Sequence, residues 1–161
     1  MSLKTIKRRR RENKTDYKLR FGLLKASLPR IAIRKTNKYI ILQAIESSEA
    51  QDKVIAGVTS RDLLENGWDE KLAGSLKSIP ACYLAGMLLA KKLKKGEYIL
   101  DMGMAINHAG GRMYAAAKGL VDGGLKIKVS EKVFPTKEKL EGENVSENTK
   151  KIIAKVKANL K

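Results

Sequence analysis

The chain has 161 residues, 43% apolar and 32% charged, with a formal net charge of +17 and one cysteine. That length suits one domain with some extension to spare, and a single cysteine excludes an internal disulfide framework. Fourteen of the thirty-four cations lie in the first forty residues against two acids, so this segment alone carries +12.

Such a localised charge points to a polyanionic partner, since each cation that neutralises a phosphate releases a condensed counterion. Residues 1–14 are nearly devoid of apolar side chains and centre on Arg8, Arg9, Arg10 and Arg11, with Lys14 following. They are expected to lack fixed structure until bound, and to act as mobile phosphate contacts. No apolar run follows them, so they do not read as a secretory signal. Thr15 is read as a helix cap and Asp16 as an acid suited to the helix's positive end. Tyr17, Phe21, Leu24 and Leu28 then recur at helical spacing, with Lys18, Arg20 and Lys25 on other faces. This basic amphipathic helix is expected to dock its apolar stripe, on the domain or on a partner, and to stop at Pro29.

Arg30–Lys35 alternates, placing Ile31 and Ile33 on one face and Arg30, Ala32 and Arg34 on the other. Thr36-Asn37 reads as a tight turn, residues 38–45 as a second strand and residues 53–59 as a third, giving an antiparallel meander. Ser60 is read as the cap of a short helix ending at Asn66-Gly67. Ser78 and Pro80 open a longer helix over 79–95, apolar nearly all round and therefore buried on more than one side. Its Ala81–Ala90 run is about half a membrane span, and it reads as a core element of a soluble, intracellular chain with Cys82 as a buried hydrophobe. Lys91, Lys92, Lys94 and Lys95 suit that helix's negative end, and serve equally well as RNA contacts. A short central strand at 98–102 precedes a helix over 111–122 with Met113, Ala116, Ala117 and Leu120 as its buried stripe. Residues 126–141 are less regular, and 146–161 form a separate amphipathic helix with Ile152, Ile153, Val156 and Leu160 on one side. The order of strands and helices argues for an α/β layered domain with a mixed sheet. Three segments follow: a basic arm and helix at 1–28, a globular domain at 29–145 and a lysine-rich tail at 146–161.

Catalytic chemistry finds little support. His108 is the only histidine and Cys82 lies elsewhere in the chain, so no zinc site is expected. Gly110-Gly111-Arg112 precedes a helix and can meet a phosphate through backbone N–H groups and the Arg112 fork, or can serve as a plain helix entry. Neither a P-loop lysine nor the Rossmann glycine spacing accompanies it. Asp101, at the end of the central strand, occupies a place where ribonuclease-H-like nucleases hold metal. Two-ion chemistry needs several clustered carboxylates, which Asp62, Asp69 and Asp122 do not supply at equivalent strand ends. Asp101 is expected to accept from nearby backbone donors. No cofactor, metal, membrane or small-molecule substrate is expected.

The ordered signals resemble the archaeal/eukaryotic form of the large-subunit ribosomal protein L-eighteen family. The carriers are Arg8–Arg11, Lys14-Thr15-Asp16-Tyr17 and Arg20, then Pro29-Arg30, Lys35–Ile40 and Gln43. Gly67-Trp68, Pro80-Ala81, Tyr83, Gly86, Leu88 and Lys91-Lys92 follow in order. Ile99–Gly103, Gly111-Arg112, Ala115–Gly119, Asp122-Gly123-Gly124 and Phe134-Pro135 complete the pattern. The resemblance extends to about Val145. The stretch 104–109 departs from it, Met113-Tyr114 stands where the family usually has Val-Phe, and the tail does not transfer.

The resemblance implies a ribonuclease-H-like core without catalytic acids. It also implies binding of 5S rRNA and anchoring to large-subunit rRNA and neighbouring ribosomal proteins of the central protuberance. RNA helices hide their major-groove edges, so phosphates, shape and unstacked bases carry recognition. Arg30, Arg34, Asn37 and Lys38 are expected to project rigidly from the first hairpin. Tyr17 or Tyr39 is a candidate for stacking on a base, with burial favoured for Tyr17. The competing readings are a metal-dependent nuclease and a general basic nucleic-acid-compacting protein.

Overall fold

Antiparallel pairing begins at a short turn in which Thr36 does most of the bonding. Its N–H donates to the Tyr39 carbonyl at 2.9 Å and its hydroxyl to the same oxygen at 2.7 Å, while Tyr39 N–H returns to the hydroxyl at 3.0 Å. In the computed structural model, which describes residues 5–49, 51–106, 108–143 and 147–160, this turn joins β1 (Arg30–Lys35) to β2 (Ile40–Ser48). Ile33 faces Leu42 across that pair. β3 (Gln51–Thr59) continues the meander with Leu42 opposite Val58, and a register shift falls between Ala44 and Ile45. β2 runs beyond the expected end at residue 45, through Ser47 and Ser48, and the reversal comes at Glu49, whose φ is +50°.

Two parallel strands extend the sheet on the other side of β1. β4 (Glu97–Asp101) lies beside β1 with Ile31 opposite Leu100, and β5 (Lys126–Ile127) lies beside β4. The resulting order is β3-β2-β1-β4-β5. This mixed sheet with its helices is the expected α/β class.

The helices keep most of the expected boundaries. α1 (Arg8–Arg11) is one turn and α2 (Tyr17–Lys25) follows it. The cap of α2 is Asp16, one residue later than expected, its carboxylate accepting from Lys18 N–H at 2.9 Å and Leu19 N–H at 3.2 Å. Thr15 instead accepts from Arg9 Nε at 2.9 Å. The apolar stripe of α2 is covered only in part within the chain: Tyr17 and Leu24 are half-buried, Phe21 is 69% exposed, and Leu28 lies beyond the helix end. Ser60 is likewise not a cap. It is fully buried with its hydroxyl accepting from Ile40 N–H, and Asp62 accepts from both Thr59 N–H and the Thr59 hydroxyl.

α3 (Ile79–Lys92) is buried from Pro80 to Ala90 except at Met87, which is why its sequence is apolar all round. It touches β2 and β3 as well as three later helices: α4 (Arg112–Asp122), α5 (Lys137–Glu141) and α6 (Glu147–Asn159). Against α4 the approach is backbone to backbone. A Cβ placed on Gly86 would lie 2.2 Å from the Ala116 carbonyl oxygen, and one on Gly119 would lie 2.1 Å from that of Tyr83. The C-terminal helix joins the same core through Ile153, Val156 and Leu160, and Asn159 donates to the Asn66 carbonyl at 3.1 Å. The expected tail start at Ser146 lies outside the described residues.

Candidate nucleic-acid interface

The arm is more ordered than its composition predicts. Arg8–Arg11 form a helical turn, and the bond from Arg9 to Thr15 ties that turn to the start of α2. Arg8 and Lys14 pair with Glu12 at 3.7 and 2.9 Å, and Lys7 sits 4.6 Å over the half-buried Tyr17 ring. The Glu12 pairs are exposed and therefore weak, so phosphates can replace that carboxylate at little cost.

Below the arm lies a cavity of about 340 Å³, between α2, the end of β1 and the β4–α4 loop. Six cations converge on it: Arg9, Lys14, Arg20, Arg30, Arg34 and Lys35. Leu19, Leu23, Met102 and Met104 supply an apolar wall, and the lining acids are Asp16 and Asp101. Neither acid stands unengaged. Asp16 caps α2, while Asp101 accepts from Gly103 N–H at 2.8 Å and from Arg34 Nη2 at 3.0 Å.

The sequence placed Arg30 among the projecting side chains, and the structure does not. Arg30 is 4% exposed. Its Nη1 donates to the Ser47 hydroxyl at 2.7 Å, its Nη2 to Asp52 at 2.7 Å, and its Nε stands 3.6 Å from Asp101. A guanidinium taken out of water must be compensated: Ser47 and Asp52 do so by hydrogen bonds, while the buried Nε has no hydrogen-bond partner and is balanced only by the charge of Asp101. Arg20 reaches the same Asp52 oxygen at 3.0 Å from α2. Burial alone would push the Asp52 carboxyl up. Hydrogen bonds from Ser47 and Arg20 and the charges of Arg30 and Arg20 outweigh that and hold it below its ordinary value.

Arg34 projects only in part. It is fastened by its Asp101 pair and by donation from Nη1 to the Asp101 carbonyl at 2.8 Å and the Ile33 carbonyl at 3.0 Å. Asn37 and Lys38 are exposed at the hairpin tip as expected. Tyr39 is half-buried with Arg61 4.3 Å over its ring. Both residues line a second cavity of about 480 Å³ with Lys38 and Lys77. Lys35, Arg61 and Lys77 line these cavities without having been singled out from the sequence. Lys35 carried a signal, as the end of a strand whose neighbours were already chosen, whereas Arg61 and Lys77 carried none.

Gly111 and Arg112 border a third, smaller cavity with Lys35 and His108. Two of the backbone donors there are engaged within the chain: Gly110 N–H donates to the Val133 carbonyl and Gly111 N–H to the His108 carbonyl, each at 2.9 Å, and the Arg112 side chain is exposed beside them.

Metal-dependent cleavage does not suit Asp101, because its carboxylate faces guanidinium groups that would repel a divalent ion. Among the described residues no group of three or more His, Cys, Asp or Glu is placed to hold a metal, and no helix is long and apolar enough to cross a membrane. Cys82 is buried, and burial pushes its thiol up to about 12, as befits an inert core residue.

Residues 2–98 match the family described as ribosomal large subunit proteins 60S L5, and 50S L18. Large ribosomal subunit protein uL18 of Korarchaeum cryptofilum is 41% identical over 148 residues, covering 90% of this chain and 74% of the relative. The uL18 proteins of Methanoregula boonei and Methanoculleus marisnigri are 39% and 41% identical, covering 86% and 87% of this chain and 79% of each relative. These are structural ribosomal proteins rather than enzymes. On the matched residues and these identities together, the chain belongs to the family of ribosomal large-subunit proteins 60S L5 and 50S L18.

Proposed function

We propose that this chain binds 5S rRNA and anchors it to large-subunit rRNA and neighbouring proteins in the central protuberance of the cytoplasmic ribosome. The observation that carries this reading is the convergence of arm, helix and hairpin cations on one groove whose lining acids are already engaged. Arg8, Arg9, Arg10, Arg11 and Lys14 supply the phosphate contacts that capture RNA. Arg20, Arg34 and Lys35 line the groove on fixed elements and set register, and Asn37, Lys38 and Tyr39 extend that surface at the hairpin tip. Tyr39 has one ring face covered by Arg61, so base stacking uses the other. Arg112 adds a contact beside the groove. Arg30 is left out of the contact set because it is buried.

Filter binding of a 5S transcript and of random RNA of equal length, across a salt series, tests this. If about six phosphates are engaged, affinity falls on the order of a thousandfold between low and moderate salt. Equal affinity for the two RNAs at physiological ionic strength would overturn the 5S assignment. Efficient competition by duplex DNA would favour general compaction instead.

A further inference from the structure

Five side chains alternate in charge from α2 to β4: Arg20, Asp52, Arg30, Asp101 and Arg34. They come from α2, β3, β1, β4 and again β1, and four of them, all but Asp52, line the groove. Its middle is dry, with the Arg30 side chain 5% exposed, while its two ends open to solvent, Arg20 at 39% and Arg34 at 45%.

We infer that Asp52 and Asp101 are positioning residues for RNA recognition: anions embedded in a basic surface to fix the groove's cations rather than to repel its ligand. This inference rests on the RNA-binding reading above. The reasoning is geometric. α2 buries no residue fully, so the bond from Arg20 to Asp52 is what fastens its cationic face to the sheet. Asp52 is itself held by Arg30 and by the Ser47 hydroxyl at 2.8 Å, so it is a fixed anchor. At the other end Arg34 is clamped on two sides. Asp101 takes Nη2, and Gly103, at φ +60°, leaves room for the guanidinium, since a Cβ there would lie 3.1 Å from Cζ. A long cationic side chain in water samples many rotamers and gives charge without register. Pairing it to a carboxylate that is itself held in place by other bonds removes that freedom before RNA arrives, which lowers the ordering cost of specific binding.

The two roles of a carboxylate here have opposite signs, which makes the inference testable. Simple electrostatics predicts that removing an acid from a basic surface strengthens binding to any RNA. Positioning predicts that specific binding weakens while nonspecific binding holds or improves. The experiment measures the affinities of the full chain for a 5S transcript and for random RNA of equal length. The variants are Asp52→Asn, Asp101→Asn and, as a charge-matched control, Glu49→Gln at the exposed β2–β3 turn.

The expected result is that each aspartate variant lowers the 5S-to-random affinity ratio about tenfold, the loss of roughly one good contact. Glu49→Gln should leave the ratio unchanged. A variant that merely loses folded protein weakens both RNAs by the same factor and preserves the ratio, and that outcome overturns the inference. So does tighter binding of both RNAs by Asp52→Asn and Asp101→Asn. A wild-type chain that fails to discriminate at all brings down the 5S reading instead, so the two failures are told apart.

Discussion

Between α3 and α4 the backbones approach until glycine on each helix meets a carbonyl of the other, at Gly86 against Ala116 and Gly119 against Tyr83. Between α2 and the sheet the contact runs through an arginine and a carboxylate, Arg20 to Asp52. At these glycines the first contact is steric, so it tolerates no added atom. The second is polar and oriented, so it tolerates volume but not loss of charge. A scaffold needs the former. A surface that must meet a polyanion benefits from the latter, because the groups that hold it in shape also present its charge.

Removing the centre of the polar network should have the largest effect on stability. Arg30→Met keeps most of the volume but leaves Asp52 and Asp101 without their shared cation. Breaking a buried pair from one side costs about 3–5 kcal/mol, and the low end is expected because Arg20 and Arg34 remain as partners. Thermal unfolding should drop by about 10 °C for that loss, and a shift under 2 °C would show that the network is not structural. Gly86→Ala comes next. Overpacking costs about 1–3 kcal/mol, and here the obstacle is backbone, so the upper end is expected. Its 5S-to-random ratio should remain that of the wild type, and a changed ratio would mean that the steric core and the groove are not independent.

The arm gives the complementary case, with binding lost and stability kept. Arg9→Ala and Arg10→Ala should each weaken 5S binding severalfold and reduce the logarithmic salt slope by about 0.7–0.9 per phosphate contact removed. Their melting temperatures should be those of the wild type, because Arg9 and Arg10 are exposed. An unchanged salt slope in filter-binding titrations would remove the arm from the interface.

What could be read beforehand divides along the same line. Local signals were legible. Ser78 and Pro80 opened α3, Thr36-Asn37 turned the hairpin, and Asp101 was an acceptor for a backbone donor two residues on, Gly103 N–H. The resemblance to the ribosomal family was legible for the same reason, since it rests on residue types in order. Arg30 was misjudged because strand alternation tells which face a side chain occupies, not whether that face is covered. Here the face is covered by contacts from Ser47 and Asp52, residues 17 and 22 positions away. The stripe of α2 shows the same limit: helical spacing of Tyr17, Phe21 and Leu24 marks an apolar face without showing what meets it, and within the chain Phe21 meets nothing that covers it. Arg61 over Tyr39 joins residues that no local pattern connects.

The smallest effect expected is also the most diagnostic of how the polar contact works. Asp52 is held below its ordinary carboxyl value of 3.8, hydrogen bonds and cations outweighing the burial that would raise it. Because the folded value is the lower one, the unfolded chain binds the proton more readily as pH falls. The contribution of Asp52 to stability is therefore complete above about pH 4 and is lost as the pH drops through the folded value. Asp52→Asn cannot take part in that titration. Its stability by urea unfolding should be lower than wild type at pH 5, and should fall less between pH 5 and pH 3, by under one proton's worth of slope. Parallel curves for the two proteins across that interval would mean that the Asp52 charge contributes nothing to holding α2 on the sheet. The hold would then owe nothing to charge, and the contrast between the two regions would disappear.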